Sequence, residues 1–492
     1  MIGDMKKIAY ILTVFAVVLS LTGCHGDLNV IQPSQYTSLN VWQESTMMSE
    51  IYGAYTRFRS ATASNMAMWA EYRSGLYDQG LIDDTSIMHY KDNIIMKSNS
   101  GTNWADLYAV INLVNLAITH AEKITFTSTT TKNTVLANAY YLRAWCYFII
   151  ARSWGDAPLL TEGFESDDPE KMFPTRTPVA QLYAQIESDL NAAASVVGGA
   201  TVNHYTTNKE AIAMLTADYD LWMAGREGKS EYYAKAESAL NTVLNSSTYK
   251  LQADFAKVFG VANENNSEII SSLNYNQLEF TGGAPSLYLC VYQYVTDLSK
   301  IENPIQVGSH NQYVTPTKEY EAFLKSVPEG VEKDARLAVT FKEFDDTDIY
   351  WRWFAKFTGT WANDTRTFDS DMILYRVAEA YLMMAEAKNG QGQQAAAVGY
   401  INQLVKRAYG KDNTYPTTLT KDQVTDVIID EYLKEFACEN KSFFTIVRNG
   451  KAFTRIWSLV GRSGEQNILY IPVADACMNT NPNITQTPGL DK

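Results

Sequence analysis

The chain has 492 residues and a formal net charge of −14, with 46% hydrophobic and 20% charged residues. This composition is typical of a folded globular protein and excludes a disordered or collagen-like chain. A net-acidic chain offers no basic surface for phosphate backbones, so we expect no nucleic-acid partner.

The first two dozen residues are typical of an export signal. Two lysines precede an uncharged apolar stretch, Ile8–Leu21, which is too short to cross a bilayer comfortably. Small residues then lead directly into Cys24, as in a bacterial lipobox. We predict a lipoprotein signal peptide over residues 1–23 and diacylation of Cys24, so that lipid anchors the mature chain 24–492. The alternative is a plain secretory signal followed by a chance cysteine.

Helical periodicity dominates two regions, where apolar residues recur every three or four positions. The first region predicts helices over Trp104–Ala121, Asn133–Trp154, Leu182–Ala194, Ala211–Trp222 and Tyr233–Val243. The second begins near Asp371 and predicts helices over Leu374–Ala385 and Val398–Ala408.

The helices fall into antiparallel pairs that resemble tetratricopeptide hairpins, although their onsets do not keep a 34-residue period. Thr207 and Glu210 have the spacing of a capping box at the start of one helix, and Gly225 lies where that helix should end. We therefore predict a mostly α fold in which at least three helix pairs form a scaffold, over about residues 40–254 and 371–440.

Residues 255–370 differ, because glycines and prolines interrupt them. The β-prone stretch Leu287–Val295 and the alternating aromatics of Ile349–Phe357 predict short strands within a loop-rich insert. Residues 441–492 form a C-terminal tail. Loops on a rigid frame commonly carry binding residues, so the insert is the first place to look for a site.

Several soft motifs occur in a fixed order along the mature chain. They are Asp27–Pro33 after Cys24, Tyr141–Phe148 with Trp154–Leu160, Leu374–Ala387, Ile401–Ala408, Asp430–Glu439, Tyr470–Val473 and Asn481–Gly489. Together they resemble the SusD/RagB family of outer-membrane nutrient-binding lipoproteins, including its "LRAxxYF…GDxPL" and "NPNLxQNPGY" segments. Thr487 stands where the family tail usually has asparagine.

The resemblance implies a tetratricopeptide-like helical core on the cell exterior, tethered by lipid to the outer membrane. It implies a partner, a SusC-like TonB-dependent transporter, to which the protein delivers captured oligo- or polysaccharide. It implies a binding protein without catalytic activity or cofactor. The alternative is a RagB-like protein that captures peptide for the same kind of transporter.

Aromatic rings suit glycan capture, since a flat ring covers the apolar face of a sugar while polar side chains bond its hydroxyls. Aromatics on the helical stripes, among them Trp104, Trp145 and Trp222, are expected in the core. The candidate ligand residues of the insert are Trp351, Trp353, Trp361, Tyr292 and Tyr294. Those of an early segment without clear periodicity are Trp69, Arg73, Tyr77, Asp84 and Tyr90. The resemblance implies that both regions converge at one rim of the scaffold.

Other chemistry has little support in the sequence. There is no GxSxG or phosphate-binding loop, and a carboxylate pair has no specificity among 55 acidic residues. Asp346 and Asp348 are a weak calcium candidate, because the glycine and distal glutamate of an EF-hand are missing. The remaining cysteines are expected to be buried thiols, with one disulfide left open.

Overall fold

The computed structural model describes residues 42–165, 172–198, 203–289, 296, 312–345, 350–362 and 365–491. The predicted signal peptide, Cys24, Tyr292, Tyr294, Asp346 and Asp348 lie outside these residues. No helix among the described residues combines the length and apolarity that crossing a bilayer requires.

Sixteen helices are described here in chain order. The first eight are α1 Glu44–Thr62, α2 Asn65–Ala70, α3 Thr85–Lys91, α4 Ala105–Lys123, α5 Thr129–Trp154, α6 Val179–Val196, α7 Lys209–Gly225 and α8 Tyr232–Leu244. The others are α9 Lys318–Lys325, α10 Leu337–Thr340, α11 Val377–Gly390, α12 Gln394–Tyr409, α13 Lys421–Glu435, α14 Ser442–Arg448, α15 Ala452–Arg455 and α16 Asp475–Thr480.

The long helices pack in sequence, each against its neighbours along the chain. α1 packs on α4, α4 on α5, α5 on α6, α6 on α7 and α7 on α8, and α8 then packs on α11, the first helix of the second region. α11 continues the stack through α12 and α13. Each helix can bury its apolar stripe only against the next one, which is the principle of tetratricopeptide-like scaffolds. The predicted mostly α fold class, with short strands in the insert, is confirmed.

Short antiparallel strand pairs lie between and beside the helices. They are β1 Tyr77–Gln79 with β3 Val314–Pro316, β2 Ile269–Leu273 with β8 Met372–Arg376, β4 Phe341–Asp345 with β5 Tyr350–Phe354, and β6 Thr360–Ala362 with β7 Thr365–Thr367. The expected strand at Ile349–Phe357 is thus present as β5. The first residues of the β-prone stretch form a 3₁₀ turn over Ala284–Leu287, and residues 290–295 lie outside the described ones.

Three local predictions differ from the structure. α5 begins at Thr129 instead of Asn133, because the Ser128 side chain accepts a hydrogen bond from the Thr131 amide and caps the helix there. α11 begins only at Val377, since the preceding residues pair as β8. Asn208, and not Thr207, caps α7 by accepting from the Ala211 amide at 2.8 Å.

Gly225 does end α7, but for a reason other than a left-handed cap. A Cβ at this position would lie 2.1 Å from the carbonyl oxygen of Arg448. Only glycine lets the end of α7 approach the backbone at the end of α14 this closely.

The core runs continuously from α1 to the C-terminal segment and contains the aromatics expected on the helical stripes. Trp104, Trp145, Tyr147, Phe148 and Trp222 are all buried. The three described cysteines, Cys146, Cys438 and Cys477, are buried and free, as predicted. These aromatics and thiols therefore belong to the core of the scaffold.

Asp220 on α7 is a buried carboxyl group, 3% exposed, that forms no ion pair or hydrogen bond with any described residue. Burial raises the pKa of Asp220 to about 8, and the nearby Glu187 adds to the effect while Lys235 opposes it. The folded chain therefore keeps this proton over a pH range in which the unfolded chain, with a pKa of about 3.9, releases it. Folding stability from this group falls as the pH rises from about 4 to about 8.

Asp220→Asn removes this titration and should raise the free energy of unfolding by at least about 1 kcal/mol at pH 8, with little change at pH 4. Denaturant unfolding at both pH values measures the difference. Asp83→Asn, on an exposed aspartate, is the matched control and should leave both values unchanged. A variant that is no more stable than the parent at pH 8 would contradict the assignment.

Candidate functional site

An open groove of about 780 Å³ lies where three distant parts of the chain meet. The early segment contributes Ser74–Leu76 and Lys91, and the insert contributes Thr317–Tyr320 and Arg352. The early segment is joined to the insert by the antiparallel pair β1–β3, in register at Tyr77 and Pro316. The early segment and the insert therefore meet at this groove, although none of the predicted ligand residues that the structure describes lines it. The third wall, which includes Trp457, comes from the C-terminal part of the chain.

Charged side chains of both signs line this groove, and most of them are paired. The ion pairs at or beside it are Lys91 Nζ–Asp78 Oδ1 at 3.2 Å, Arg455 Nη1–Asp430 Oδ1 at 2.6 Å and Arg352 Nη1–Glu321 Oε2 at 3.6 Å. Burial raises the pKa of Asp430, although Arg455 opposes the shift. Guanidinium, ammonium and carboxylate groups have more donors and acceptors than one ion pair uses, which suits a ligand rich in hydroxyl groups.

Trp457 supplies a flat apolar surface at the groove. Its side chain is 55% exposed, and it is the one tryptophan of the chain that is more than half exposed. The indole packs against Gly75, which has a φ of +76°, and a Cβ at Gly75 would lie 2.9 Å from Trp457 Cδ1. Lys91 Nζ lies 5.8 Å from the indole centroid. Glycine at position 75 therefore leaves room for the ring.

Arg73, predicted to contact ligand, instead lies under the groove and is 1% exposed. Its guanidinium donates to the carbonyl oxygens of Ile468 at 2.7 Å and Leu469 at 2.9 Å, and to Asn93 Oδ1 at 3.1 Å. Burial lowers the pKa of Arg73 to about 9. Arg73 thus joins the early segment to the C-terminal segment and cannot touch a ligand directly.

Asn93 continues this connection. It adopts a left-handed φ of +51°, which asparagine tolerates better than most residues, and is buried. Its Nδ2 donates to the Arg73 carbonyl at 3.1 Å and to Ser458 Oγ at 3.0 Å. Since Ser458 follows Trp457, these bonds fix the backbone that carries the exposed indole.

Tyr77 is a second predicted ligand residue that proves to be structural. It is buried, and its hydroxyl donates to Glu71 Oε1 at 2.5 Å. The Glu71 carboxylate also accepts from the backbone amides of Cys438, Lys441 and Ser442 at 2.9–3.1 Å. Burial raises the pKa of Glu71, which these hydrogen bonds counter. The pair therefore ties the groove's floor to the turn that follows α13.

Trp351 and Trp353, predicted to contact ligand, are instead buried. They do share one face of β5, but they are only 1% and 8% exposed and pack with Leu289 and Phe368 in a small core. The opposite face of the strand carries Arg352, which lines the groove. Alternating side chains define the two faces of a strand, but the alternation does not determine which face is buried.

The other predicted residues also separate into structural and surface positions. Trp69 is buried and donates from Nε1 to the Gly101 carbonyl at 2.7 Å, and Tyr90 is fully buried. Asp84 caps α3 by accepting from the Ile87 amide at 2.9 Å. Trp361 is half-buried on β6, with the Arg366 guanidinium 5.6 Å from its ring centroid. None of these four lines the groove.

Among the described residues, no group of three or more histidine, cysteine, aspartate or glutamate side chains is arranged to hold a metal ion. The groove's features are instead a half-exposed indole, paired charges and a rigid buried support. Such an arrangement is suited to stacking on, and hydrogen bonding to, a polar, ring-shaped ligand.

Comparison with known proteins finds relatives along most of the chain. Residues 246–468 match a family model described as the SusD family, and residues 28–218 match one described as "Starch-binding associating with outer membrane". The chain is 24% identical to SusD-like protein P38 of Formosa agariphila over 91% of this chain and 93% of that protein. It is 26% identical to the starch-binding protein SusD of Bacteroides thetaiotaomicron over 72% of each chain.

The solved structure of B. fragilis NanU superposes with a TM-score of 0.79 at 26% identity, covering 94% of this chain and 100% of that one. A SusD superfamily protein of Bacteroides fragilis superposes with a TM-score of 0.77 at 24% identity and shows the same fold. The matched descriptions name starch binding and association with the outer membrane. The prediction of a binding protein and not an enzyme is therefore confirmed at the level of the family. Helical scaffold, ordered motifs and both family models lead to one conclusion: the chain belongs to the SusD/RagB family.

Proposed function

We propose that this chain is a surface lipoprotein that captures oligo- or polysaccharide in the groove beside Trp457 and delivers it to a SusC-like TonB-dependent transporter. The observation that carries the proposal is the half-exposed indole held over a groove of paired charges. The indole covers the apolar face of a sugar ring, and the charged side chains bond its hydroxyls. The starch-binding relative supports glycan as the ligand class.

Affinity electrophoresis tests the ligand class. The purified mature chain is run in native gels that contain starch, xylan, pectin, alginate or no polysaccharide. We expect at least one polysaccharide to retard the chain relative to a non-binding standard. If no polysaccharide retards the chain and a peptide library binds instead, the alternative hypothesis of RagB-like peptide capture is favoured.

The anchor and the partner are proposed from the lipobox at Cys24 and from the family. Cys24→Ala should move the protein from the outer-membrane fraction to the soluble fraction of the native cells. Gentle detergent extraction of the unaltered chain should recover a large β-barrel protein with it. Recovery of the lipoprotein alone under those conditions would count against the transporter.

A further inference from the structure

A second groove, of about 470 Å³, lies on the other side of the segment that carries Trp457. We call the groove beside Trp457 the main groove and this one the second groove. The second groove is lined by Asn93–Ile95 from the early segment and by Arg462, Gln466, Asn467 and Tyr470 from the C-terminal segment.

The two grooves are lined by different residues of the same two segments. The early segment lines the main groove with Lys91 and the second groove with Asn93, only two residues later. The C-terminal segment lines the main groove with Trp457 and the second groove with Arg462. Val460, which is 58% exposed, lies on the stretch between Trp457 and Arg462, and Ile94, which is 44% exposed, lines the second groove. The grooves are therefore neighbours on one surface.

The same buried residues also support both floors. Arg73 directly precedes Ser74 and Gly75, which line the main groove. Its guanidinium donates a hydrogen bond to the carbonyl of Ile468, which lines the second groove. Asn93 lines the second groove and donates to Ser458, next to Trp457. The distance between the grooves is thus fixed by hydrogen bonds in the interior, and a ligand that spans them meets a preorganised surface.

The second groove carries the hydrogen-bonding groups that sugars need. Gln466 and Asn467 are exposed. Asn467 Nδ2 donates to the Pro488 carbonyl at 3.1 Å, while its Oδ1 accepts no hydrogen bond from the described part of the chain. Gln466 Nε2 donates one of its two N–H groups, to the Ser463 carbonyl. Free amide donors and acceptors remain for hydroxyl groups.

We propose that the two grooves form one extended site and that the ligand is a glycan chain long enough to cross the Trp457–Val460 ridge and occupy both. A polymer of repeating rings can enter two adjacent grooves, whereas a mono- or disaccharide fills only one. Occupying the second groove adds contacts without a second loss of translational freedom, so affinity rises with chain length. This inference rests on the proposed glycan function.

The test uses the polysaccharide that retards the chain most strongly in the gel panel, partially hydrolysed and separated into a series from disaccharide to octasaccharide. Calorimetry measures the affinity of each for the parent chain, for Trp457→Ala and for the double variant Gln466→Ala/Asn467→Ala. Asn241→Ala, an exposed asparagine on α8, is the matched control. Melting temperatures confirm that each variant is folded.

We expect the double variant to lose at least about fivefold in affinity for the octasaccharide and less than about twofold for the disaccharide. Trp457→Ala should weaken both. An octasaccharide affinity that the double variant leaves unchanged, or equal losses at every length, would overturn the extended site while leaving the proposed function in place. Failure of the whole gel panel would remove the proposed function and this inference together.

Discussion

Arg376→Ala should lower the free energy of unfolding by about 3–5 kcal/mol, because it removes a counter-charge that three buried carboxylates share. Arg376 is fully buried at the end of β8. Its guanidinium lies 2.8 Å from Glu268 Oε1, 2.6 Å from Glu435 Oε1 and 2.8 Å from Glu439 Oε2. All three acids are at most 3% exposed.

This network explains why the loss should be large. Burial alone would raise the pKa of Glu435. The guanidinium groups of Arg407, Arg376 and Arg336 nevertheless hold this pKa well below its usual value. Glu268 lies just before β2, and Glu435 ends α13, so the network joins the insert's central strand to the scaffold. Arg407 still pairs with Glu268 and Glu435, and Lys356 with Glu439. Removing Arg376 nevertheless leaves these buried acids with one counter-charge fewer to offset the cost of burial.

Denaturant unfolding of Arg376→Ala beside Arg57→Ala separates a buried network from an ordinary surface pair. Arg57 pairs with Asp106 at 2.6 Å, but both side chains are at least half exposed. We expect Arg57→Ala to cost less than about 1 kcal/mol. Equal, small losses in the two variants would show that the buried network contributes no more than a surface pair.

Trp457→Ala should weaken binding of the retained polysaccharide by at least about tenfold while leaving the fold intact. A sugar ring that covers one face of this half-exposed indole removes apolar surface from water, which is worth about 1.5–3 kcal/mol. The side chain is 55% exposed without ligand, so its truncation costs little stability. Calorimetry with the soluble polysaccharide and a melting curve measure the two effects.

Two other aromatic substitutions make this prediction specific. Tyr52→Ala removes a ring that is 53% exposed on α1 and does not line either groove, so binding should stay unchanged. Trp351→Ala should instead cost about 3–5 kcal/mol of stability, because its ring is buried among apolar side chains. If Trp457→Ala binds as tightly as the parent, the indole is not the platform.

The sequence alone predicts the helical scaffold well, since seven apolar stripes with a helical period become α4 to α8, α11 and α12. Their pairing follows because each stripe needs a partner. It also predicts β5 and the sharing of one face by Trp351 and Trp353. The direction of that face depends on Leu289 and Phe368, which are distant in sequence, so periodicity within the strand cannot determine it.

The ligand residues are harder to predict for the same reason. Arg73 and Tyr77 are polar side chains in an irregular segment, which suggests a surface, yet their partners at Ile468 and Glu71 bury them. Trp457 lies in a 3₁₀ turn with no periodic pattern that would indicate whether its ring is buried. The position of the ring depends on Gly75, which approaches it from the other end of the chain. Contacts of this range are determined by the tertiary fold.

Iodide quenching of tryptophan fluorescence tests the central claim most directly, because iodide reaches exposed indoles and Trp457 is the most exposed one in the chain. We predict that the polysaccharide retained in the gels protects the parent chain from quenching and gives no further protection to Trp457→Phe. Quenching that is the same with and without the bound polysaccharide would contradict a glycan platform at Trp457.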